Sequence, residues 1–188
     1  METALDRIAE RGFDEYSLDE VAEAVDVSRN LLYRYFARGR QDLSLAVVER
    51  VMGALGQHLV VDPTLELERR VEINLGPFAA QGFAGTAEWR VYRRIRAVTD
   101  PEAVALIEDF HSRWVALIAA NNRVNPSDEI VAAGLRSMIA FACEAIDQAA
   151  ARGIEQPVVM ELIVGGFEDT LARCVARQQT KRARRRTP

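Results

Sequence analysis

Residues 17–36, SLDEVAEAVDVSRNLLYRYF, constrain the fold more than any other stretch, because they contain two closely spaced helix starts. Ser17 can cap a first helix, and Glu20 follows at the spacing that a capping box requires. Ser28 is a second N-cap candidate, with apolar residues at helical spacing after it. Two helices this short cannot each bury an apolar face alone, so they must cross and share a core. The stretch therefore predicts a helix-turn-helix, whose second helix can enter the major groove of DNA.

The charge around the second of these helices is one-sided. No acidic residue lies between Asp26 and Asp42, whereas four arginines do, interleaved with tyrosines. Arginine neutralises phosphates and bonds to base edges, and tyrosine hydroxyls reach phosphates. A solvated basic face on an ordinary helical hairpin would explain the arginines alone. The two caps, the short turn and the tyrosines together favour duplex DNA as the partner. The arginines are Arg29, Arg34, Arg38 and Arg40.

Residues 8–43 resemble the DNA-binding domain of the tetracycline-repressor (TetR) family of bacterial regulators. The similarity runs through IAERGF, VAEAVDVS, LYRYF and the following Gly-Arg pair, across three helices. The resemblance places several of these side chains where DNA contacts are made. The DNA-contact candidates are Ser17, Ser28, Arg29, Asn30, Leu31, Tyr33, Arg34, Tyr35 and Arg40.

Two positions depart from the pattern of the family. Glycine is frequent in the interhelical turn, where this chain has Asp26. Because aspartate tolerates left-handed backbone better than most residues, the turn is expected to survive. A small residue and threonine are frequent early in the recognition helix, where this chain has Asn30 and Leu31. This second departure concerns which bases are recognised, not whether DNA is bound.

Composition limits what the remaining chain can be. Its 188 residues, 49% of them hydrophobic, allow one large or two small domains with an ample core. No apolar run reaches the length of a membrane span, and the N-terminus is not a signal peptide. Cys143 and Cys174 lack ligand spacing, and His58 and His111 are far apart in sequence. We therefore expect reduced thiols, no metal, no cofactor and a cytoplasmic location.

The net charge of −4 conceals an uneven distribution. From Arg173 onward there are seven basic residues and no acidic one, so the preceding chain is strongly acidic. An acidic body with local basic patches suits a protein that binds DNA at one face. Composition predicts a basic, disordered tail over residues 179–188, which adds non-specific attraction to DNA or is without function.

The rest of the chain predicts helices only, because proline, glycine and polar clusters interrupt helical patterns and no alternating strand pattern occurs. A long helix over 41–60 should follow the helix-turn-helix. Nine helices result, in an all-α fold. We expect a three-helix DNA-binding domain over 1–45, with Phe13 in its core, and a ligand-binding and dimerisation domain over 46–178. The five further helical segments are 64–82, 86–98, 101–123, 127–152 and 157–178.

Large aromatic residues concentrate in the middle of the chain. Core packing explains any one of them, but together they could enclose an apolar cavity, and the family resemblance favours this interpretation. The expected ligand is an unidentified, largely apolar small molecule. The candidate ligand-binding residues are Phe78, Trp89, Tyr92, Phe110, His111, Trp114, Ile118 and Phe141.

The last two helical segments predict a homodimer. Segment 127–152 is apolar around most of its circumference, so it must be covered on more than one side. Small residues there and at Gly165–Gly166 permit close helix approach, and two helices from each chain would form a four-helix bundle about a two-fold axis. The candidate interface residues are Ala132, Met138, Ala145, Ala149, Leu162, Gly166 and Phe167.

These features predict a homodimeric transcriptional regulator that is not an enzyme, binds a palindromic operator in duplex DNA and is released or modulated by the small molecule. Repression is expected, because members of the resembled family mostly block promoters. A ligand-independent dimeric DNA-binding protein and a transcriptional activator remain alternatives. A helical-bundle enzyme is a further alternative, although the sequence shows neither a nucleophile–base arrangement nor Glu-x-x-His repeats.

Overall fold

A computed structural model describes residues 1–57, 59–95 and 98–186, and the side chains up to residue 181. Within these ranges the chain forms nine helices and no strand, which confirms the all-α prediction. None of the helices in the described part is long and apolar enough to cross a membrane. The helices are α1 (Glu2–Arg11), α2 (Leu18–Ala24), α3 (Arg29–Tyr35), α4 (Arg40–Leu55), α5 (Leu67–Ala84), α6 (Ala87–Arg94), α7 (Pro101–Asn122), α8 (Glu129–Arg152) and α9 (Gln156–Arg186).

The described residues form two compact units, the first over 1–57, 85–95 and 98–110 and the second over 59–84 and 111–186. This division differs from the boundary expected near residue 45, because α6 packs against both α1 and α4 and holds α4 with the N-terminal helices. Arg94 of α6 also donates to the carbonyls of Ala9 and Glu10, at 3.2 and 3.0 Å, and so caps the end of α1.

The core of the first unit is built from the apolar faces of α1, α2 and α4. Leu5, Ile8 and Val47 are among its fully buried side chains. Tyr16 is also buried, with its hydroxyl 2.7 Å from Ser44 Oγ, and burial raises the pKa of the phenol. Phe13, expected in this core, is only half-buried and instead lines an open cavity of about 370 Å³.

The second unit packs α8 against both α5 and α9. Val131, Leu135 and Ile146 of α8 are fully buried there. Gly134 favours the close approach of α8 and α9, because a Cβ at this position would lie 3.3 Å from the Cys174 sulfur, a tight contact. Neighbours within one protomer therefore already cover much of the apolar circumference of α8.

The last helix continues further than the sequence suggests. In place of the disordered tail expected from residue 179, α9 runs on to Arg186. Asp128, which caps α8 through the amide of Ile130 at 3.1 Å, accepts hydrogen bonds from Lys181 at 2.8 Å and Arg177 at 3.0 Å. These cations, Lys181 first, lower the pKa of Asp128 well below its usual range. The contact anchors the C-terminal part of α9 to the start of α8.

Candidate nucleic-acid interface

The first helix of the motif begins at the predicted capping box. The amide of Glu20 donates to Ser17 Oγ at 3.1 Å, and the amide of Ser17 donates to Glu20 Oε2 at 2.8 Å. This backbone hydrogen bond from Ser17 is the main reason that the pKa of Glu20 is lowered. The side chains of Ser17 and Glu20 each accept a hydrogen bond from an amide that would otherwise lack an acceptor at the start of the helix. The start of α2 is therefore fixed at this residue.

The turn between α2 and α3 is closed by local backbone hydrogen bonds. Asp26 has a φ of 53°, the left-handed conformation expected of it, and its amide donates to Glu23 at 3.2 Å. The amide of Val27 donates to the carbonyl of Ala22 at 3.0 Å. Ser28 then caps α3, with its Oγ accepting from the amide of Leu31 at 3.3 Å.

The recognition helix α3 is held on the unit by one side and exposed on the other. It has no fully buried residue, and Leu32 and Phe36 are its half-buried anchors. On the exposed side, Leu31, Tyr33 and Tyr35 are 40%, 49% and 71% accessible. Exposed tyrosines and a leucine beside arginines are unusual for a purely solvated face, and they provide apolar and hydrogen-bonding contacts for a partner.

The arginines near α3 differ in the ion pairs and hydrogen bonds that they form with the rest of the chain. Arg29 forms a 3.0 Å ion pair with Asp19 of α2, while remaining 70% exposed. Arg40 donates to the backbone carbonyl of Asp14 at 2.6 Å, and its side chain is 45% exposed. Arg34 is exposed and pairs with no acidic side chain in the described part of the chain. Arg34 is thus the cation most available to an external ligand.

Arg38 has a different role within the first unit. Its guanidinium donates two hydrogen bonds to Glu102, at 2.8 and 2.9 Å, and a third to Asp42 at 2.5 Å. These carboxylates, Glu102 first, raise the pKa of Arg38. Beside this contact, Gln41 donates to Asp100 at 2.6 Å, and Asp100 caps the start of α7. Arg38 therefore joins the segment after α3 to α7 and is less available to an external partner than its proximity to α3 in the sequence suggested.

Comparison with known proteins agrees with this geometry. Residues 1–47 match the family model of bacterial regulatory proteins of the tetR family. Over its first quarter the chain is similar to this family. Two solved structures share its fold. A tetR-family transcriptional regulator from Streptomyces coelicolor has a TM-score of 0.73 at 24% identity, over 97% of this chain and 82% of its own. A TetR-like transcriptional regulator from Rhodococcus sp. RHA1 has a TM-score of 0.63 at 21% identity, over 91% of this chain and 92% of its own.

The expected ligand residues do not form one cluster within either unit. In the first unit, Tyr92 packs between Trp89 and Phe110, with ring centroids 5.8 Å apart in both pairs. In the second unit, Phe78 and Trp114 pack edge to face, also at 5.8 Å. All five aromatic side chains are buried, so they pack as core residues.

The other three ligand candidates are more accessible. His111 and Ile118 are half-buried on α7. Phe141 is 39% exposed on α8, where its ring lies against Gly166 of α9. Phe141 thus belongs to the surface of the α8–α9 hairpin. We find no cluster of histidine, cysteine or carboxylate side chains among the described residues that could hold a metal ion.

The dimer candidates divide in the same way between core and surface. Met138, Ala149 and Phe167 are buried within the second unit, so they are not presented to another chain. Leu162 is 60% exposed. The remaining candidates, Ala132, Ala145 and Gly166, are half-buried. The helical repeat alone could not distinguish the face packed inside the protomer from the free face, since both are apolar.

Several residues of the DNA-facing region were absent from the sequence-based predictions. Asp19 and Asp14 hold Arg29 and Arg40, and Glu102 holds Arg38. The separation of Asp19 and Arg29 in the sequence corresponds to about three turns of helix, at roughly 3.6 residues per turn. The interhelical turn lies between them, and the sequence does not specify its direction. The partners Asp14, Asp19 and Glu102 all lie outside the basic stretch between Asp26 and Asp42, so no signal in the sequence indicated these ion pairs.

Proposed function

We propose that this chain is a TetR-family regulator that binds a palindromic DNA operator as a homodimer and represses transcription. One observation supports DNA binding most directly: the exposed side of α3 presents Asn30, Leu31, Tyr33, Arg34 and Tyr35 together, without an acidic residue on that helix. A helix that places side chains of this kind on its free side is suited to the width of the DNA major groove.

Base recognition is assigned to the most accessible polar side chains of α3. Arg34 can donate to both O6 and N7 of guanine, and Asn30 can bond to adenine in a bidentate manner. Leu31 provides an apolar contact for a thymine methyl group. We assign the phosphate contacts to Tyr33, Tyr35 and Arg40. Arg29 can contact either a phosphate or a base once it is released from Asp19. Ser17 and Ser28 lie at helix N-termini, where their capped amides can also face phosphates.

Dimerisation is assigned to the free face of α8 and α9. Ile130, Phe141, Val158 and Leu162 are 59%, 39%, 55% and 60% exposed, which is unusual for four large apolar side chains on two adjacent helices. We therefore replace the buried candidates Met138, Ala149 and Phe167 by these residues. A two-fold axis through this face would pair each patch with its own copy. Two recognition helices could then read half-sites one helical turn apart, about 34–36 Å, or a multiple of it.

A small-molecule effector is part of the proposal on the ground of the family alone. The close packing of the five buried aromatic side chains supports a structural role for them, and two cavities within the described ranges 1–57, 59–95 and 98–181 are lined by other residues. Repression is likewise proposed on family grounds, with activation as the other possible outcome at the promoter.

DNA recognition is tested first by selecting the duplexes that the protein binds from a random pool. Binding assays then compare the selected duplex with a scrambled control. Arg34→Ala should lose about 1–3 kcal/mol on the selected duplex and little on the scrambled one, because it removes a base contact. Arg40→Ala and Tyr33→Phe should weaken both duplexes alike, because they remove phosphate contacts.

The selection has a clear negative result. Failure to enrich any duplex, together with salt-independent binding to random DNA, would contradict DNA recognition. A change of base preference on Arg40→Ala, with unaltered binding to the scrambled duplex, would show instead that the two roles are assigned to the wrong arginines.

A further inference from the structure

A groove of about 920 Å³ lies between α5 and α9 in the second unit. The two helices contact each other where Gln156 donates from Nε2 to the carbonyl of Gly76 at 3.5 Å. The volume is within the range of about 300–1,000 Å³ that is typical of small-molecule pockets. None of the residues predicted from the sequence to bind a ligand lines this groove.

The groove combines an apolar floor with an acidic rim. Val71, Pro157, Met160 and Val164 provide apolar surface. Arg69 is the one basic residue of the lining, and it forms a 2.5 Å ion pair with Glu72. The other three carboxylates pair with no basic side chain in the described part of the chain, so the groove has an excess of negative charge. The exposed glutamates of the rim are Glu68, Glu72, Glu161 and Glu168.

Two helical glycines keep the groove open. Gly76 of α5 and Gly165 of α9 both line it, although glycine is among the poorest helix formers. A Cβ added at either position would meet no atom within 4 Å, so packing of the fold does not require glycine there. Gly166 is different, because its missing side chain makes room for Phe141. Any larger side chain at 76 or 165 would project into free space and narrow the groove.

We infer that this groove binds an amphiphilic organic cation, with its apolar part on the floor and its positive charge among the glutamates. An apolar floor favours burial of a hydrocarbon or aromatic body, and the surplus carboxylates favour a cation over a neutral or anionic molecule of the same shape. The glutamates are spread along the rim, and no metal-binding cluster occurs among the described residues, so a diffuse organic cation fits better than a metal ion. The inference does not depend on DNA binding.

Tetraphenylphosphonium and tetraphenylborate are a matched pair of probes, because they have nearly the same size and apolar surface but opposite charge. The full-length protein with ¹³C-labelled methionine methyl groups reports the site of binding, since Met160 alone among the methionines lines the groove. The signal of Met160, assigned with Met160→Leu, should shift with the phosphonium and not with the borate. The methionines are Met1, Met52, Met138 and Met160.

Two sets of variants test the two components of the site. Glu68→Gln, Glu161→Gln and Glu168→Gln should each weaken phosphonium binding by between about 1.5-fold and 5-fold, the range for exposed charge pairs, whereas Glu129→Gln outside the groove should not. Gly76→Leu should reduce the Met160 shift by narrowing the groove from the α5 side, away from the proposed dimer face, and circular dichroism should show an intact helical fold, because a Cβ at this position meets no atom within 4 Å.

Three results would overturn the inference. One is an equal shift of Met160 with the phosphonium and the borate, and another is unchanged phosphonium binding in Gly76→Leu. The third is protection of Met160 from a soluble paramagnetic probe in the dimer, because the groove would then be covered by a second copy of the chain rather than open to a cation.

Discussion

The ring of Phe141 in α8 occupies the space that a side chain at Gly166 in α9 would need. A Cβ at residue 166 would lie 2.7 Å from Cε1 of Phe141, well inside van der Waals contact. Because Phe141 is 39% exposed, its ring lies at the surface that we assign to the dimer. The size of residue 166 therefore sets the shape of that surface, although residue 166 itself is half-buried.

We expect Gly166→Arg to displace Phe141 and convert the dimer to a monomer that no longer binds the selected operator. Leu162→Glu should have the same effect without disturbing packing, since Leu162 is 60% exposed. Analytical ultracentrifugation at micromolar concentration measures the oligomeric state, and circular dichroism separates dissociation from unfolding. Gly53→Arg is the matched control, because a Cβ at this helical glycine meets no atom within 4 Å. A dimeric Leu162→Glu variant would contradict the assigned interface.

Release of Arg29 should strengthen DNA binding. Asp19→Asn removes the carboxylate that lies 3.0 Å from the Arg29 guanidinium and frees the cation for phosphate or base. Since exposed ion pairs contribute up to about 1 kcal/mol, we expect a gain in affinity of up to about fivefold, with a salt dependence steeper by about one phosphate contact. Asp6→Asn is the control, because it changes the net charge by the same amount as Asp19→Asn, but at an exposed position on α1. Equal gains from both variants would indicate general electrostatics rather than release of Arg29.

Arg38 and Glu102 should stabilise the first unit through the contact that they form with each other. Arg38→Met and Glu102→Gln are each expected to lower the thermal unfolding midpoint, and the double variant to lower it by less than the sum of the two. Arg38→Lys tests the geometry, because lysine keeps the charge but cannot donate two parallel hydrogen bonds to a carboxylate. Additive effects in calorimetry would show that the bidentate contact contributes nothing to stability in solution.

Asp128 should make stability depend on pH in the acid range. Its pKa is lowered in the folded protein by Lys181 and Arg177, relative to about 3.9 in an unfolded chain. Its contribution is therefore present above about pH 4 and is lost as the pH falls through the folded pKa. Asp128→Asn keeps the capping oxygen but removes the charge. The free energy of unfolding of the variant should lie below that of the wild type at pH 7, and the difference should narrow steadily as the pH falls below about 4.

Chemical denaturation at several pH values measures this difference. Other carboxyl groups with lowered pKa values, including Asp42 and Asp100, contribute to acid destabilisation in both proteins, so the difference between the two curves isolates Asp128. Asp169→Asn, at an exposed position on α9, provides the control for loss of one negative charge. Parallel curves for wild type and Asp128→Asn would rule out the ion pairs as a source of acid sensitivity.

The sequence by itself determined the elements whose causes lie within a few residues. The Ser17–Glu20 capping box, the Ser28 cap and the left-handed Asp26 all depend on neighbours at most five positions away, and all three occur as predicted. The helical character of the later segments was also predicted correctly. The bounds of α9 were not, because strong helix formers and the contact with Asp128 extend it into a segment whose charge alone suggested disorder.

Only the tertiary structure decided which apolar face meets which neighbour. Trp89 and Trp114 were both predicted to line one ligand cavity, yet they pack in different compact units with different aromatic partners. Arg29 and Arg38 both read as candidates for a DNA-facing surface, yet one pairs with Asp19 and the other with Glu102. The physical reason is that hydrophobic burial is non-directional and ion pairs join residues far apart in sequence, so their partners follow from the path of the chain and not from local pattern.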